Sequence, residues 1–266
     1  MCAVPRVWRF LCAAPVFLPV WVLILASCAT APVDKAAVDA RIRDFTYSYP
    51  HDSRPVFVGF SPRLQDRKDE EAAAVADAAL KAARYGELTG SVVFAAKSRG
   101  SFSSVAVDYR FEDDPNHVSA AESTIELADS LVTASGTVVR CLYPGAPELR
   151  LPPAGHRDAS GRPVWLEKTP EYAGYLTSVG SAEKRRLVGD SFQQADYSAL
   201  AGILSQTSLL IDADERVRTV PGAGTITRNE GRQTARGTLR GFYVLDRWIS
   251  DDGRTFYSLA VCPLVD

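Results

Sequence analysis

The chain has 266 residues, of which 46% are hydrophobic, and its formal net charge is -2 at pH 7. This hydrophobic share is typical of a folded globular protein and excludes a disordered one. The balanced charge lacks the basic excess by which proteins hold nucleic acid, and the length suits one large domain or two small ones.

Residues 1–27 have the three-part layout of an export signal. Two arginines precede an apolar run over residues 10–25, and the small residues Ala26 and Ser27 follow it. A membrane-spanning helix needs about 20 apolar residues, whereas this run is shorter and contains two prolines. We therefore predict a cleaved signal, with an uncleaved anchor or simple secretion as the alternatives.

The stretch Leu25-Ala26-Ser27-Cys28 resembles the lipobox of bacterial lipoproteins, in which one apolar and two small residues precede a lipidated cysteine. The resemblance implies cleavage between Ser27 and Cys28, with diacylglycerol on the Cys28 sulfur and an N-acyl chain on its new amino group. Each buried methylene of such chains contributes about 0.8 kcal/mol to membrane binding. Alanine at position 29 favours the outer membrane, with the bulk of the protein in the periplasm or at the cell surface.

A segment rich in proline and glycine divides the mature chain. Residues 144–162 contain four prolines and three glycines, a composition that resists both helix and sheet. We interpret this segment as a linker between a first repeat, residues 54–143, and a second repeat, residues 163–266. Residues 28–53 are predicted to form a lipid-anchored tether that contains a short helix over Asp34–Phe45.

The two halves have the same order of predicted elements. Each has a hydrophobic strand ending in Val-Gly, then a helix, and a last strand with one cysteine; Gly59 to Cys141 and Gly180 to Cys262 are both 82 positions. This repetition predicts an internal duplication. The predicted fold class is α+β, with two tandem β-α-β-β-β units, each a small, mostly antiparallel sheet with one helix packed on one face.

One amphipathic helix is predicted in each repeat. The first covers Asp66–Gly86, with acids in its first turns and bases near its end. The second covers Asp190–Gln206, with Asp190 as the N-cap in a capping-box pattern. The buried stripe of the first helix is predicted at Ala72, Val75, Ala79, Ala82 and Tyr85.

The strands of the second repeat are predicted from their turns and composition. A strand is expected to begin at Ser208 and to continue through the solvated acids at 212–215, followed by a long loop over 221–237. Asp252-Gly253 predicts a hairpin between the β-rich runs 238–249 and 254–261.

Residues 119–132 fit two interpretations. The local pattern favours a capped helix, whereas correspondence with residues 238–249 favours a strand. We take the strand, because the duplication extends over the whole repeat.

Four stretches between Pro163 and Cys262 carry a family resemblance. They are PVWLEKTPEY, YLTSVGSA, SFQQADYSALAGILSQTS and GFYVLDRWISDDGRTFYSLAVC. In these stretches the chain resembles the Lpp-twenty type of bacterial lipoprotein, and also the N-terminal domain of a flagellar assembly protein (type T). The resemblance implies a β-α-β-β-β domain in a surface or outer-membrane lipoprotein, with no catalytic residues to carry over. The first repeat matches only in outline, and the loop over 221–237 departs from the pattern.

The residue types used in catalysis form no motif in this sequence. The histidines His51, His117 and His156 fall in predicted loops, and no pair of them has the spacing of helical metal ligands. We therefore predict neither an enzyme nor a metal site. The remote alternative is an envelope hydrolase that uses Asp246 or Asp252 with a loop histidine.

Two cysteines remain in the mature chain beyond the lipid site, Cys141 and Cys262. If the halves are copies, both lie in equivalent last strands, where a pseudo-twofold axis would pair them as a disulfide. Such a bond requires α-carbons within about 7 Å. The alternative is that each is a buried strand residue with a free thiol.

The predicted function is that of a non-catalytic, lipid-anchored envelope lipoprotein, a structural or protein-interaction module. Its expected partners are the membrane, through the anchor, and envelope proteins or further copies of itself, but not nucleic acid. The only expected cofactors are the covalent acyl chains on Cys28. The alternative is a lipoprotein that binds a small molecule between its two domains, which requires a concave apolar pocket there.

Overall fold

The computed structural model describes residues 41–42, 45–46, 55–99, 102–146, 151–153, 156–218 and 232–264. Asp39–Asp266 form one compact unit. Its main elements in chain order are β1 (Val56–Pro62), α1 (Arg67–Gly86), β2 (Leu88–Arg99), β3 (Phe102–Glu112), α2 (Pro115–Thr124), β4 (Glu126–Val132), β5 (Gly136–Leu142), a 3-10 turn (Val164–Leu166), β6 (Tyr175–Glu183), α3 (Val188–Arg218), β7 (Arg232–Leu239), β8 (Tyr243–Ile249) and β9 (Thr255–Pro263).

Each repeat builds a three-stranded sheet of the same topology. The first sheet has the order β1-β5-β4 and carries α1, and the second has the order β6-β9-β8 and carries α3. Every strand pair in the two sheets is antiparallel. The predicted α+β fold of two tandem units is thereby confirmed.

The duplication extends to a β-bulge at the same position in both sheets. The register with the neighbouring strand shifts between Leu127 and Asp129 in β4, and between Val244 and Asp246 in β8. In both bulges the aspartate carboxylate accepts a hydrogen bond from the next backbone N–H, at 2.8 Å in β4 and 2.9 Å in β8. A bulge is a specific local feature, so its repetition supports a common origin of the two units.

A glycine in each first strand allows the helix to approach the sheet closely. A Cβ atom on Gly59 of β1 would lie 1.9 Å from the carbonyl oxygen of Ala74, and one on Gly180 of β6 would lie 2.1 Å from that of Ala195. Each alanine follows its glycine by 15 positions. Nonbonded heavy atoms do not approach to such distances, so only glycine fits at these two places.

A third sheet, with the order β3-β2-β7, connects the repeats. The sequence predicts a separate sheet for each repeat; instead, the strand that follows each long helix leaves its own sheet and pairs with its counterpart. Val92 of β2 and Ala235 of β7 are buried in one cluster with Leu204 of α3, and this shared core holds the pair. The loop predicted over 221–237 is correspondingly shorter, because β7 begins at Arg232.

The first repeat contains two elements that the predicted order lacks, β3 and α2. Both interpretations of residues 119–132 therefore apply, each to a different part. The helix α2 begins after the N-cap Asp114, has a proline at its first position and ends at Thr124. The strand β4 covers Glu126–Val132. The strand interpretation is confirmed for β4.

The first long helix is confirmed, since α1 begins directly after the N-cap Asp66. Its buried stripe is partly different from the prediction. Ala72 is exposed, whereas Ala74 and Ala78 are fully buried, because α1 turns these small residues toward β1.

The second long helix exceeds its predicted length at both ends, covering Val188–Arg218 instead of Asp190–Gln206. Asp190 therefore lies in the first turn and is not the N-cap. The strand predicted from Ser208 through the acids at 212–215 is wrong, because these residues are helical. No glycine or proline stands between Gln206 and Pro221 to end the helix earlier.

Cys141 and Cys262 are both free and buried, so the proposed disulfide does not form. They belong to different hydrophobic clusters. The strand registers also place them at non-equivalent positions: Cys141 lies opposite Phe57, two positions before Gly59, and Cys262 lies opposite Leu176, four positions before Gly180. Burial raises the pKa of the Cys141 thiol to about 12 and that of Cys262 to about 11, which makes both unreactive.

Candidate functional site

The predicted lipidation residue Cys28 and the cleavage residue Ser27 lie outside the described residues, as do most positions of the predicted helix Asp34–Phe45. The three described residues of that predicted helix, at 41, 42 and 45, are helical, and so is Thr46 directly after it. Ile42 is 2% exposed and is therefore part of the folded body.

Arg140 of β5 holds this short helix on the first sheet. Its guanidinium Nε donates a hydrogen bond of 2.8 Å to the backbone carbonyl of Phe45, and its Cζ lies 4.3 Å from the centre of the Phe45 ring. Burial lowers the pKa of Arg140, and the charge of Asp129 opposes that effect. The segment that follows the lipobox is thus fixed to the body at Ile42 and Phe45, 14 and 17 positions after Cys28.

Side chains occupy the free edge of β1. The Tyr243 hydroxyl accepts from the Val56 N–H at 3.0 Å and donates to the Val56 carbonyl at 2.8 Å. The Asp77 carboxylate accepts from the Phe60 N–H at 2.8 Å, and Lys81 donates to the Val58 carbonyl at 2.7 Å. These side chains take the bonds that a further strand would make, so this edge is closed to strand addition.

The free edge of β6 is closed in the same manner. The Ser198 hydroxyl accepts from the Ser181 N–H at 3.3 Å, and the Gln206 amide donates to the Thr177 carbonyl at 3.0 Å. Ser198 follows Gly180 by 18 positions, as Asp77 follows Gly59. The duplicated helices therefore protect equivalent strand edges with different side chains.

The strap, residues 156–166, covers the face of the second sheet at the β8 bulge. The Asp246 carboxylate accepts from Arg157 Nη2 at 2.9 Å and from the Trp165 indole N–H at 2.9 Å. Trp165 is buried, and Arg157 also lies over the Trp248 ring. Residues 156–162 of the strap belong to the predicted linker, and the contact of Arg157 with Asp246 ties that linker to the second repeat.

The two aspartates of the hydrolase alternative occupy unlike environments. Burial raises the pKa of Asp246, and Arg157 opposes that rise. Asp252 is exposed in the β8–β9 turn, where the hydrogen bond from the Ser250 hydroxyl lowers its pKa. Among the described residues neither carboxylate bonds a histidine, and the His117 imidazole lies 3.8 Å from the Asp114 carboxylate. His51 lies outside the described residues, and the candidates inside them form no acid–base pair.

Glu70 of α1 is a fully buried carboxylate that the sequence does not reveal as such. It accepts hydrogen bonds from the Thr137 hydroxyl at 2.7 Å, the Leu64 N–H at 3.2 Å and the side chains of Arg63 and Arg67. Burial alone would raise the pKa of Glu70, but these donors outweigh it and the pKa is lowered. Thr137 is 67 positions away in the chain, so no local pattern predicts the contact.

We expect Glu70→Gln to lower the free energy of unfolding at pH 7 by about 2 kcal/mol, because a charged acceptor of four donors is lost. The folded-state pKa is depressed, so its contribution is present above the ordinary glutamate pKa of about 4.3 and is lost as pH falls through the folded value. Urea unfolding should therefore show that the difference in free energy of unfolding between wild type and variant is largest at pH 7 and becomes smaller as the pH is lowered. The exposed Asp69→Asn is the control, and a gap that stays constant with pH would contradict this assignment.

Three cavities lie between described residues of the two repeats, and each is small or polar. One of about 130 Å³ lies between Phe60 and Thr137 of the first repeat and the start of α3 at Val188, and one of about 50 Å³ lies between α1 and α3. An open depression of about 340 Å³ is lined mainly by polar residues, including Lys184 and Arg185. Ligand pockets are usually apolar and about 300–1,000 Å³, so none of these three fits the small-molecule alternative.

The edges of β3 and β4 are the exposed strand edges with apolar side chains. Leu127 and Val132 of β4 are 43% and 52% exposed, and Val107 of β3 is 37% exposed. Each strand ends its sheet among the described residues. Free edges with apolar side chains are where proteins accept a further strand.

No family model, curated protein or solved structure matches this chain. In the part of the chain that the structure describes, no helix combines the length and apolar character needed to cross a bilayer. That same part contains no group of three potential metal ligands.

Proposed function

We propose that this protein is a lipid-anchored bacterial envelope lipoprotein whose two-repeat body is a protein-interaction module. The observation that carries the proposal is the lipobox-like stretch Leu25-Ala26-Ser27-Cys28 at the end of an apolar run. Acylated Cys28 holds the body on a membrane, with the outer membrane as its expected location.

The interaction role is supported by how the buried polar groups are used. The buried carboxylates Glu70, Asp246 and Asp196 each accept hydrogen bonds from donors within the chain. They stabilise contacts between elements that are distant in the sequence, which is a structural use. The exposed edges of β3 and β4 remain as surfaces on which other protein strands can add.

The attachment of the tether also supports this role. Because Ile42 is buried and Arg140 holds Phe45, 13 residues separate the acylated cysteine from the first fixed residue of the body. A fully extended chain spans at most about 3.5 Å per residue, so Ile42 would stay within roughly 50 Å of the bilayer. The body would thus meet partners that lie in or near the membrane to which it is anchored.

We expect Cys28→Ser to abolish the mature, acylated form. Mass spectrometry of the wild-type protein should give a chain that begins at Cys28 and carries acyl groups, and this species should fractionate with membranes. The variant should either keep its signal and remain larger or appear in the soluble fraction. Cys12→Ser, within the signal, is the matched control; a Cys28→Ser protein that stays on membranes at the mature size would refute the anchor.

A further inference from the structure

The outer edge of β3 differs from the other strand edges in its side-chain pattern. Asp108 and Arg110 are 63% and 74% exposed and lie on one face, with 3.4 Å between Arg110 Nε and Asp108 Oδ2. Tyr109 and Phe111 lie on the other face and pack against Tyr197 of α3, at centroid distances of 5.6 and 4.8 Å. An acid and a base two positions apart form a self-complementary pattern for antiparallel pairing.

The remaining edges offer no comparable pattern. Side chains close those of β1 and β6, and bulges with an aspartate distort β4 and β8. Along the described side chains of β7 the outward polar residues are Thr234, Arg236 and Thr238, and Arg236 already binds Glu112 of β3, across the intervening β2. Among the strands and side chains that the structure describes, β3 alone combines a free edge with two opposite exposed charges.

We propose that the outer edge of β3 pairs with the same edge of a second copy of this chain, in an antiparallel register centred on Tyr109. Residues opposite each other in a twofold antiparallel pair have numbers that sum to twice that of the central residue. Centring on Tyr109 places Asp108 opposite the Arg110 of the other copy, twice, and Val107 opposite its Phe111. Centring on Asp108 or on Arg110 would place like charges directly opposite, which is unfavourable.

This pairing joins two three-stranded sheets into one of six strands and covers the exposed Val107. The partner of the proposed interaction module is then a second copy of the same chain. The interface is a strand edge and thus small, so in solution the association is weak. Confinement to a membrane raises the effective concentration of the second copy, and only this strengthening rests on the proposed lipid anchor.

The test uses full-length chains carrying two different affinity tags, co-expressed and co-purified from the same solubilised fraction. With Asp108→Arg in both copies, or with Arg110→Asp in both, positions 108 and 110 carry the same sign of charge in each copy, and co-purification should fall about tenfold. Co-expression of one Asp108→Arg copy with one Arg110→Asp copy sets two positive side chains at these positions against two negative ones. That mixture should recover co-purification to at least the wild-type level.

Both side chains are exposed, so neither substitution is expected to disturb folding. Lys68→Glu, at an exposed position in the first turn of α1, is the matched charge reversal and should leave co-purification unchanged. Single variants that still self-associate, or a mixture that does not recover, would overturn the proposal. Co-purification of wild-type and variant chains is compared within one solubilised fraction. A negative result for the β3 pairing can therefore be distinguished from a negative result of the Cys28→Ser experiment.

Discussion

Gly59→Ala and Gly180→Ala should each lower the free energy of unfolding by about 3 kcal/mol, because the new methyl group meets helix backbone that cannot move aside. A Cβ on Gly59 would lie 1.9 Å from the Ala74 carbonyl oxygen, and one on Gly180 would lie 2.1 Å from both the Ala195 oxygen and the Ala199 nitrogen. To accommodate it, the helix must shift away from the sheet and lose its alanine contacts. Urea unfolding followed by circular dichroism measures the loss.

The matched control is Gly86→Ala at the end of α1, where an added Cβ meets no atom within 4 Å. Here alanine should be neutral or stabilising by up to about 1 kcal/mol, since it restricts the unfolded chain. Equal stability of all three variants would mean that the helices do not pack on their glycines. A loss in only one repeat would mean that the close helix–strand contact is not duplicated.

Removal of either member of the buried Asp196–Arg247 pair should cost about 3–5 kcal/mol, because the remaining charge is left without its partner in the interior. The Asp196 carboxylate accepts from Arg247 Nη2 at 2.8 Å and Nε at 3.1 Å, and from the Ser258 hydroxyl at 2.6 Å. The two side chains are 8% and 6% exposed. Burial alone would lower the pKa of Arg247, but Asp196 outweighs it and the pKa is raised.

A double-mutant cycle separates the pair from its surroundings. Asp196→Ala and Arg247→Ala should each be strongly destabilising, whereas the double variant that carries both substitutions should cost much less than their sum. The exposed pair of Arg236 and Glu112 serves as the control, for which alanine variants should change stability by less than about 1 kcal/mol. Additive losses in the buried cycle would contradict a direct interaction.

The parts of the fold that sequence reasoning predicted are those with local signals. The N-cap Asp66 and the alanine-rich period define α1, and Asp252-Gly253 defines the β8–β9 hairpin, in which Gly253 has a φ of +66°. The duplication was detectable because both copies keep their element order. The register shows that the equal spacing to the two cysteines was a coincidence, since insertions offset each other.

The parts that sequence reasoning missed depend on contacts between distant residues. Tyr243 closes the β1 edge from 187 positions away, and Glu70 is buried by Thr137. The pairing of β2 with β7 has no local signal either, because an isolated strand pattern does not specify its neighbour. The end of α3 was misplaced for another reason, since the residues after Gln206 suit both strand and helix.

The candidate sites also differ in whether they depend on contiguous residues or on contacts between distant ones. The lipobox-like stretch is contiguous and therefore legible in the sequence, although it lies outside the described residues. The open edge of β3 becomes apparent only from the strand order, which shows that nothing among the described strands pairs with its outer side. The opposite charges of Asp108 and Arg110 can be read from the sequence, but they suggest pairing only once β3 is known to be an edge strand.

The antiparallel pairing of β2 with β7 has an implication for the origin of the protein. In a single ancestral unit, the strand that follows the helix would have had no partner strand. The simplest partner for its backbone N–H and C=O groups was the same strand of an identical chain, related by a twofold axis. Gene fusion of two such chains would make that contact permanent and leave each half free to diverge, one by gaining β3 and α2, the other by lengthening its helix. In that history, the present chain contains both halves of an ancestral dimer.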